Sequence, residues 1–140
     1  MPSGGSRSIG GRLIDYAPRE RLGWHRHDSA SVTLVLRGEI HERSASGVSR
    51  GGACAVFLKP AGIEHANRVG DGGARTLTFQ LAGEWSEAFG TRGGYAVLRD
   101  ATLFRAFMEA FERDLDAAAL LDRCETALGA TRVAGWVDEA

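Results

Sequence analysis

The chain has 140 residues, 44% hydrophobic and 25% charged, a composition that excludes disorder and supports one buried core without disulfide or structural metal. No stretch approaches the ~20 apolar residues of a membrane helix, and Met1 to Arg12 lacks the apolar centre of a secretion signal. A cytoplasmic protein with no membrane partner is expected. Residues 1–83 carry eleven Lys/Arg against seven Asp/Glu, whereas residues 84–140 carry six against eleven. A duplex-binding surface needs a basic face, so the acidic second half is excluded as one.

Residues 1–10 (MPSGGSRSIG) are rich in Gly and Ser and read as a flexible N-terminus. Residues 11–83 then read as short β-strands. RLIDYA starts at Arg12, a second segment runs up to His27, SVTLVLR starts at Ser31, and EIHER starts at Glu39. ACAVFLK starts at Ala53, HANRV at His65 and ARTLTFQLA at Ala74. Turn signals separate them: Arg37-Gly38, Ser46-Gly47, Gly51-Gly52, Pro60-Ala61-Gly62 and Asp71-Gly72-Gly73. Short strands at this spacing predict a sandwich or barrel. In SVTLVLR the face carrying Val32, Leu34 and Leu36 is as apolar as the other, so something must cover it.

Residues 84–140 change period and read as a helical tail. Trp85 and Phe89 form an i,i+4 pair in a short helical turn that Gly90 ends. Asp100 is the expected N-cap of ATLFRAFMEAFERDL, whose Leu103, Phe104, Phe107, Met108, Phe111 and Leu115 form one apolar stripe. Asp116 is the expected cap of a second helix, with Ala117, Leu120, Leu121, Cys124 and Leu128 on one face and Gly129 closing it. Two separate helices and one bent helix both fit the pattern. One face covers the barrel; a second apolar face predicts a homodimer through these C-terminal helices, against the plainer reading that both are buried within one monomer. Cys54 and Cys124 match no ligand or redox spacing and read as reduced, buried thiols.

His25 and His27 alternate with Arg26, so in a strand both imidazoles share a face, and that parity continues through Ser31, Thr33 and Val35. His65 follows the Pro60-Ala61-Gly62 turn and shares its face with Asn67. These residues predict a polar-tipped cavity binding a small molecule through His25, His27, Ser31, Thr33, His65 and Asn67. On the last strand Thr76, Thr78 and Gln80 share one face and Leu77, Phe79 and Leu81 the other; parity alone does not say which is inner. Lys59 reads as a solvated position, or as one that attracts an anionic ligand. Trp24 reads as a packing residue, and His41 as an ordinary polar one.

Gly23-Trp24-His25-Arg26-His27 with Arg37-Gly38 resembles the first cupin motif, and Pro60-Ala61-Gly62-Ile63-Glu64-His65 the second. More narrowly, HRHDSASVTLVLRGEIHER with KPAGIEHANRVGDGGARTLTFQL resembles the N-terminal effector domain of AraC-type transcriptional regulators. The resemblance is good from about Arg12 to Ala82 and only general over the tail. It implies a cupin-like double-stranded β-helix, a jelly-roll barrel, followed by two or three helices. It also implies a small-molecule effector, a dimer, and DNA contact only through a domain absent from this chain. Trp136 stands where such proteins enter that domain.

The sequence departs from metal-binding cupins: the position of their carboxylate holds Ser31 or Val32, and serine is a poor ligand for first-row metals. No catalytic residue and no cofactor is therefore assigned. A divalent metal on His25, His27 and His65, in a stand-alone cupin enzyme, is the alternative.

Overall fold

A computed structural model of the chain describes residues 10–45, 47–81, 85, 96–113 and 117–133. The strands are β1 (Gly11–Tyr16), β2 (Arg21–His25), β3 (Ala30–Ser44), β4 (Gly47–Gly51), β5 (Val56–Lys59), β6 (His65–Leu81) and β7 (Ala96–Leu98). Two helices follow, α1 (Ala101–Arg113) and α2 (Ala117–Val133). All strand pairings are antiparallel, in the order β1-β6-β3-β5-β7, with β2 also on β6 and β4 also on β3.

Two long strands organise everything. β3 has 15 residues and β6 has 17, and each bends midway. Ala30–Val35 pairs with β5 and with the last third of β6, whereas Ile40–Ser44 pairs with β4 and with the start of β6. The same two strands thereby supply both walls of the jelly roll, which face each other across a cavity. The segments Arg37-Gly38 and Asp71-Gly72-Gly73, read from sequence as turns, are the bends inside these strands. Gly38 and Gly73 have φ of +83° and +79°, values that L side chains rarely adopt. A Cβ on Gly38 would lie 2.0 Å from the Gly73 carbonyl oxygen, so the crossing admits glycine alone.

The double-faced pattern of β3 has its explanation here. Val32 and Leu34, with Leu77, Phe79 and Leu81, face outward and meet Leu103, Ala106, Phe107 and Ala110 of α1 and Leu120 and Cys124 of α2. Phe107 is fully buried, its ring 5.3 Å from that of Phe79 and 6.2 Å from that of Trp85. Asp100 caps α1 as expected, accepting from the Leu103 N–H at 2.9 Å. α2 runs on through Gly129 to Val133 instead of closing there, and the junction between the two helices, 114–116, lies outside the described residues. β4 and β7 were not legible in the sequence; β7, in the stretch read as helical, pairs with β5. Cys54 is exposed rather than buried, while burial pushes the Cys124 thiol far above its ordinary value. Phe89, Leu115, Asp116, Trp136 and the N-terminal segment up to Ile9 lie outside the described residues. Among the described residues no helix is long and apolar enough to cross a membrane.

Candidate functional site

The cavity between the two walls has a volume of about 240 Å³. All six residues expected to face it, His25, His27, Ser31, Thr33, His65 and Asn67, line it. The strand registers build it in layers. Lys59, Ser31 and Gln80 form one rung across β5, β3 and β6, and Phe57, Thr33 and Thr78 the next. In the opposite wall Leu22, Asn67 and Glu42 share a rung, with Ile40 and Val69 beside it. Thr33 and Thr78 hydroxyls lie 3.1 Å apart across the strands. The inner face of β6 is thus the one carrying Thr76, Thr78 and Gln80.

Three imidazoles converge at the mouth. The ring of His25 stands 4.2 Å from that of His65 and 5.1 Å from that of His27, centroid to centroid. His25 ends β2 opposite His65, the first residue of β6, and His27 is held beyond them by its carbonyl, which accepts from the Gly62 N–H at 2.9 Å. Gly62 itself has φ of +82°, so the Pro60-Ala61-Gly62 turn delivers His65 as expected.

Backbone carbonyls fix two of the tautomers. Nδ1 of His25 lies 2.7 Å from the Gly23 oxygen and Nδ1 of His65 lies 3.0 Å from the Ile63 oxygen. A carbonyl only accepts, so both Nδ1 atoms carry the proton and both Nε2 atoms keep a lone pair. One nitrogen from each of the three rings lies within 4.8 Å of the others. The donor set fits a first-row divalent ion: imidazole nitrogens, with the outward N–H groups of two rings oriented by backbone oxygens.

Burial holds His65 below its ordinary value of 6.5, and the Lys59 ammonium adds to the effect. Burial also lowers His27, helped by His25 and then Lys59. Neutral rings are the ligating form. In acid the unfolded chain takes these protons first, so this contribution to stability is intact above 6.5 and is lost as pH falls from there through the folded values. Melting temperature should accordingly drop between pH 7.5 and 5.5, and the drop should shrink in His65→Asn; equal slopes in both proteins would count against it.

Sequence reasoning missed Glu42 and Lys59. Parity continued from Thr33 and Val35 points His41 inward. The bulge between Val35 and Arg37 and the irregularity between Gly38 and Ile40 instead bring Ile40 and Glu42 to the cavity. His41 lies on the outer groove, its Nε2 2.9 Å from Glu39 Oε1. Glu42 is 2% exposed, and its Oε1 accepts from Lys59 Nζ at 3.2 Å and from Asn67 Nδ2 at 2.6 Å. Lys59 is therefore a buried, paired ammonium and not a solvated one. A signal for it exists: it is the single lysine among 17 basic residues. Trp24, read as a packing residue, is more than half exposed and lines the outer groove.

No protein-family model and no curated protein matches this chain. Solved structures do. ToxT from Vibrio cholerae O395, bound to (E)-4-(8-methylnaphthalen-1-yl)but-3-enoic acid, superposes with TM-score 0.65 at 5% identity, over 86% of this chain and 55% of ToxT. A cupin superfamily protein from Desulfitobacterium hafniense DCB-2 superposes with TM-score 0.48 at 22% identity, over 58% of this chain and 73% of that one. A cupin-2 domain protein from Shewanella frigidimarina gives 0.47 and 17%, over 54% and 72%. The chain spans about half of ToxT, and at these identities the likeness is one of fold. That fold is a two-walled antiparallel jelly roll carrying two C-terminal helices.

Proposed function

We propose that this chain is the ligand-sensing and dimerisation module of an AraC-type transcriptional regulator, with DNA contact made by a domain outside these residues. One observation carries the reading. Adjacent residues of β3 and β6 alternate between the cavity and the helices: Thr33 beside Leu34, Thr78 beside Leu77 and Phe79. A ligand that moves the inner wall therefore moves the surface on which α1 rests. The coupling is bounded by the ligand's difference in affinity for the two arrangements. The superposition on ToxT, an AraC-family protein, supports the same reading, because its coverage of this chain is much larger than that of the two cupin proteins. A homodimer through the C-terminal helices belongs to the same proposal.

A thermal-shift search for small-molecule binders, followed by hydrogen exchange, tests the proposal. A cavity ligand is expected to change exchange rates in Ala101–Arg113, on the far side of the wall. A ligand that is chemically converted, or that leaves those amides unchanged, would remove the sensor.

The three-imidazole cluster favours a second reading, a metal centre with His25, His27 and His65 as ligands. Such an ion would supply a Lewis acid with an open coordination position. The three side chains would hold and orient it, and the carbonyls of Gly23 and Ile63 would hold two of those rings. Zinc titration of chelator-treated protein is expected to show one equivalent bound, with at least about tenfold weaker binding in His25→Ala. Equal binding by the variant would exclude this centre.

A further inference from the structure

The buried carboxylate of Glu42 is only half satisfied. Oε1 takes both the Lys59 ammonium and the Asn67 amide, whereas Oε2 is enclosed with no hydrogen-bond partner among the described residues. Glu42 lines the cavity, and so do both of its partners. A carboxylate oxygen left unpaired in a low-dielectric interior is destabilising, and a donor from a cavity occupant removes that penalty.

We infer that the cavity takes a neutral, hydroxyl-bearing organic molecule whose O–H donates to Glu42 Oε2 as the carboxylate turns that oxygen toward the cavity. This deepens the ligand-binding reading above and rests on it. Three classes of head group compete for the position. A carboxylate would be drawn to Lys59 but would face Oε2 without a proton to give it. An ammonium would satisfy Oε2 but would sit beside the Lys59 charge, which lies 3.2 Å from the other oxygen. A hydroxyl donates to Oε2 and still accepts from Lys59, adding no charge to a pair that is already balanced. The rest of the ligand is set by the neighbouring rungs. Ile40 and Val69 follow Glu42 and Asn67 on the inner face, with Leu22 on the Asn67 rung and Ile14 on the wall across, paired with Thr76. That wall wants an apolar body. A cavity of about 240 Å³ limits it to a compact one.

The test uses four probes of matched size on the whole chain, with EDTA present so that no metal on the histidines supplies a contact. Benzyl alcohol, benzoate, benzylamine and toluene are titrated by calorimetry and by thermal shift. Benzyl alcohol is expected to bind saturably and at least about tenfold tighter than the other three. Glu42→Gln is nearly isosteric: its amide oxygen keeps Lys59 and Asn67 while its N–H groups replace the free oxygen. The variant is expected to lose about tenfold for the alcohol and to gain for benzoate. Benzoate or benzylamine binding as tightly as the alcohol, or no saturable binding by any probe, overturns the inference. The probe series in the unaltered protein decides this even if the variant folds poorly. An alcohol that binds without changing exchange in α1 keeps the ligand class and removes the sensor; benzoate that binds and changes it does the reverse.

Discussion

Phe107→Ala should lower the free energy of unfolding by about 3–5 kcal/mol, the usual cost of emptying a phenylalanine site in a core that cannot close over it. The side chain is fully buried between the barrel and the tail, ringed by Phe79, Trp85 and the small residues Ala106 and Ala110. Phe79 is fixed in a central strand, and the alanines have nothing to move. Urea unfolding should show a lower midpoint with an unchanged slope, because the surface exposed on unfolding is the same. Phe107→Leu keeps most of the volume and should cost less than half as much. A loss below about 1 kcal/mol in the alanine variant would mean that the helices are only loosely seated on the sheet. In that case a change in the cavity wall could not reach them either.

A loss of similar size is expected from a single methyl group at Gly38. Alanine there must hold a left-handed conformation, about 1–3 kcal/mol for a residue with a Cβ. That Cβ must also find room 2.0 Å from one backbone oxygen and 2.7 Å from the Ala74 Cα. Backbone on both sides of the crossing would have to part. The combined cost should reach at least about 3 kcal/mol, a large share of the roughly 5–15 kcal/mol that such a domain has in total. Gly72 is the control: nothing lies within 4 Å of a Cβ built there, and Gly72→Ala should change stability by less than about 1 kcal/mol. Similar melting temperatures for the two variants would contradict this account of the crossing.

Much of the site was legible because strand periodicity is a local property. The alternation of Ser31 with Thr33, and of Thr76 with Thr78 and Gln80, survives into the cavity intact, whereas His27 reaches it from beyond the end of β2. The Pro60-Ala61-Gly62 turn announced His65 through its chemistry. Failure began where the alternation slips. An extra residue near Leu36 reverses the phase, so counting from Thr33 arrives at His41, although Glu42 is the one that points in. The motif position at Ser31 and Val32 carries no carboxylate, as read; the carboxylate that lines the cavity, Glu42, comes from beyond the slip. Lys59 was misread for a different reason. Its burial depends on Glu42, which pairs with it from another strand, and long-range compensation leaves no mark on the residues next to it in sequence. β7 is three residues long, too short for any period to show.

The shared use of β3 and β6 by both walls has a kinetic side. Ala30 pairs with Leu81 and Ser44 with His65, so every rung of the site joins residues remote in sequence. The β3–β4 hairpin is local, but neither wall is complete until β6 joins it. Loop-closure entropy must be met before any of these contacts returns energy, which places the chain among slow, all-or-none folders. The three imidazoles then meet only when the last registers lock, and a nascent chain carries separate histidines rather than a half-built centre.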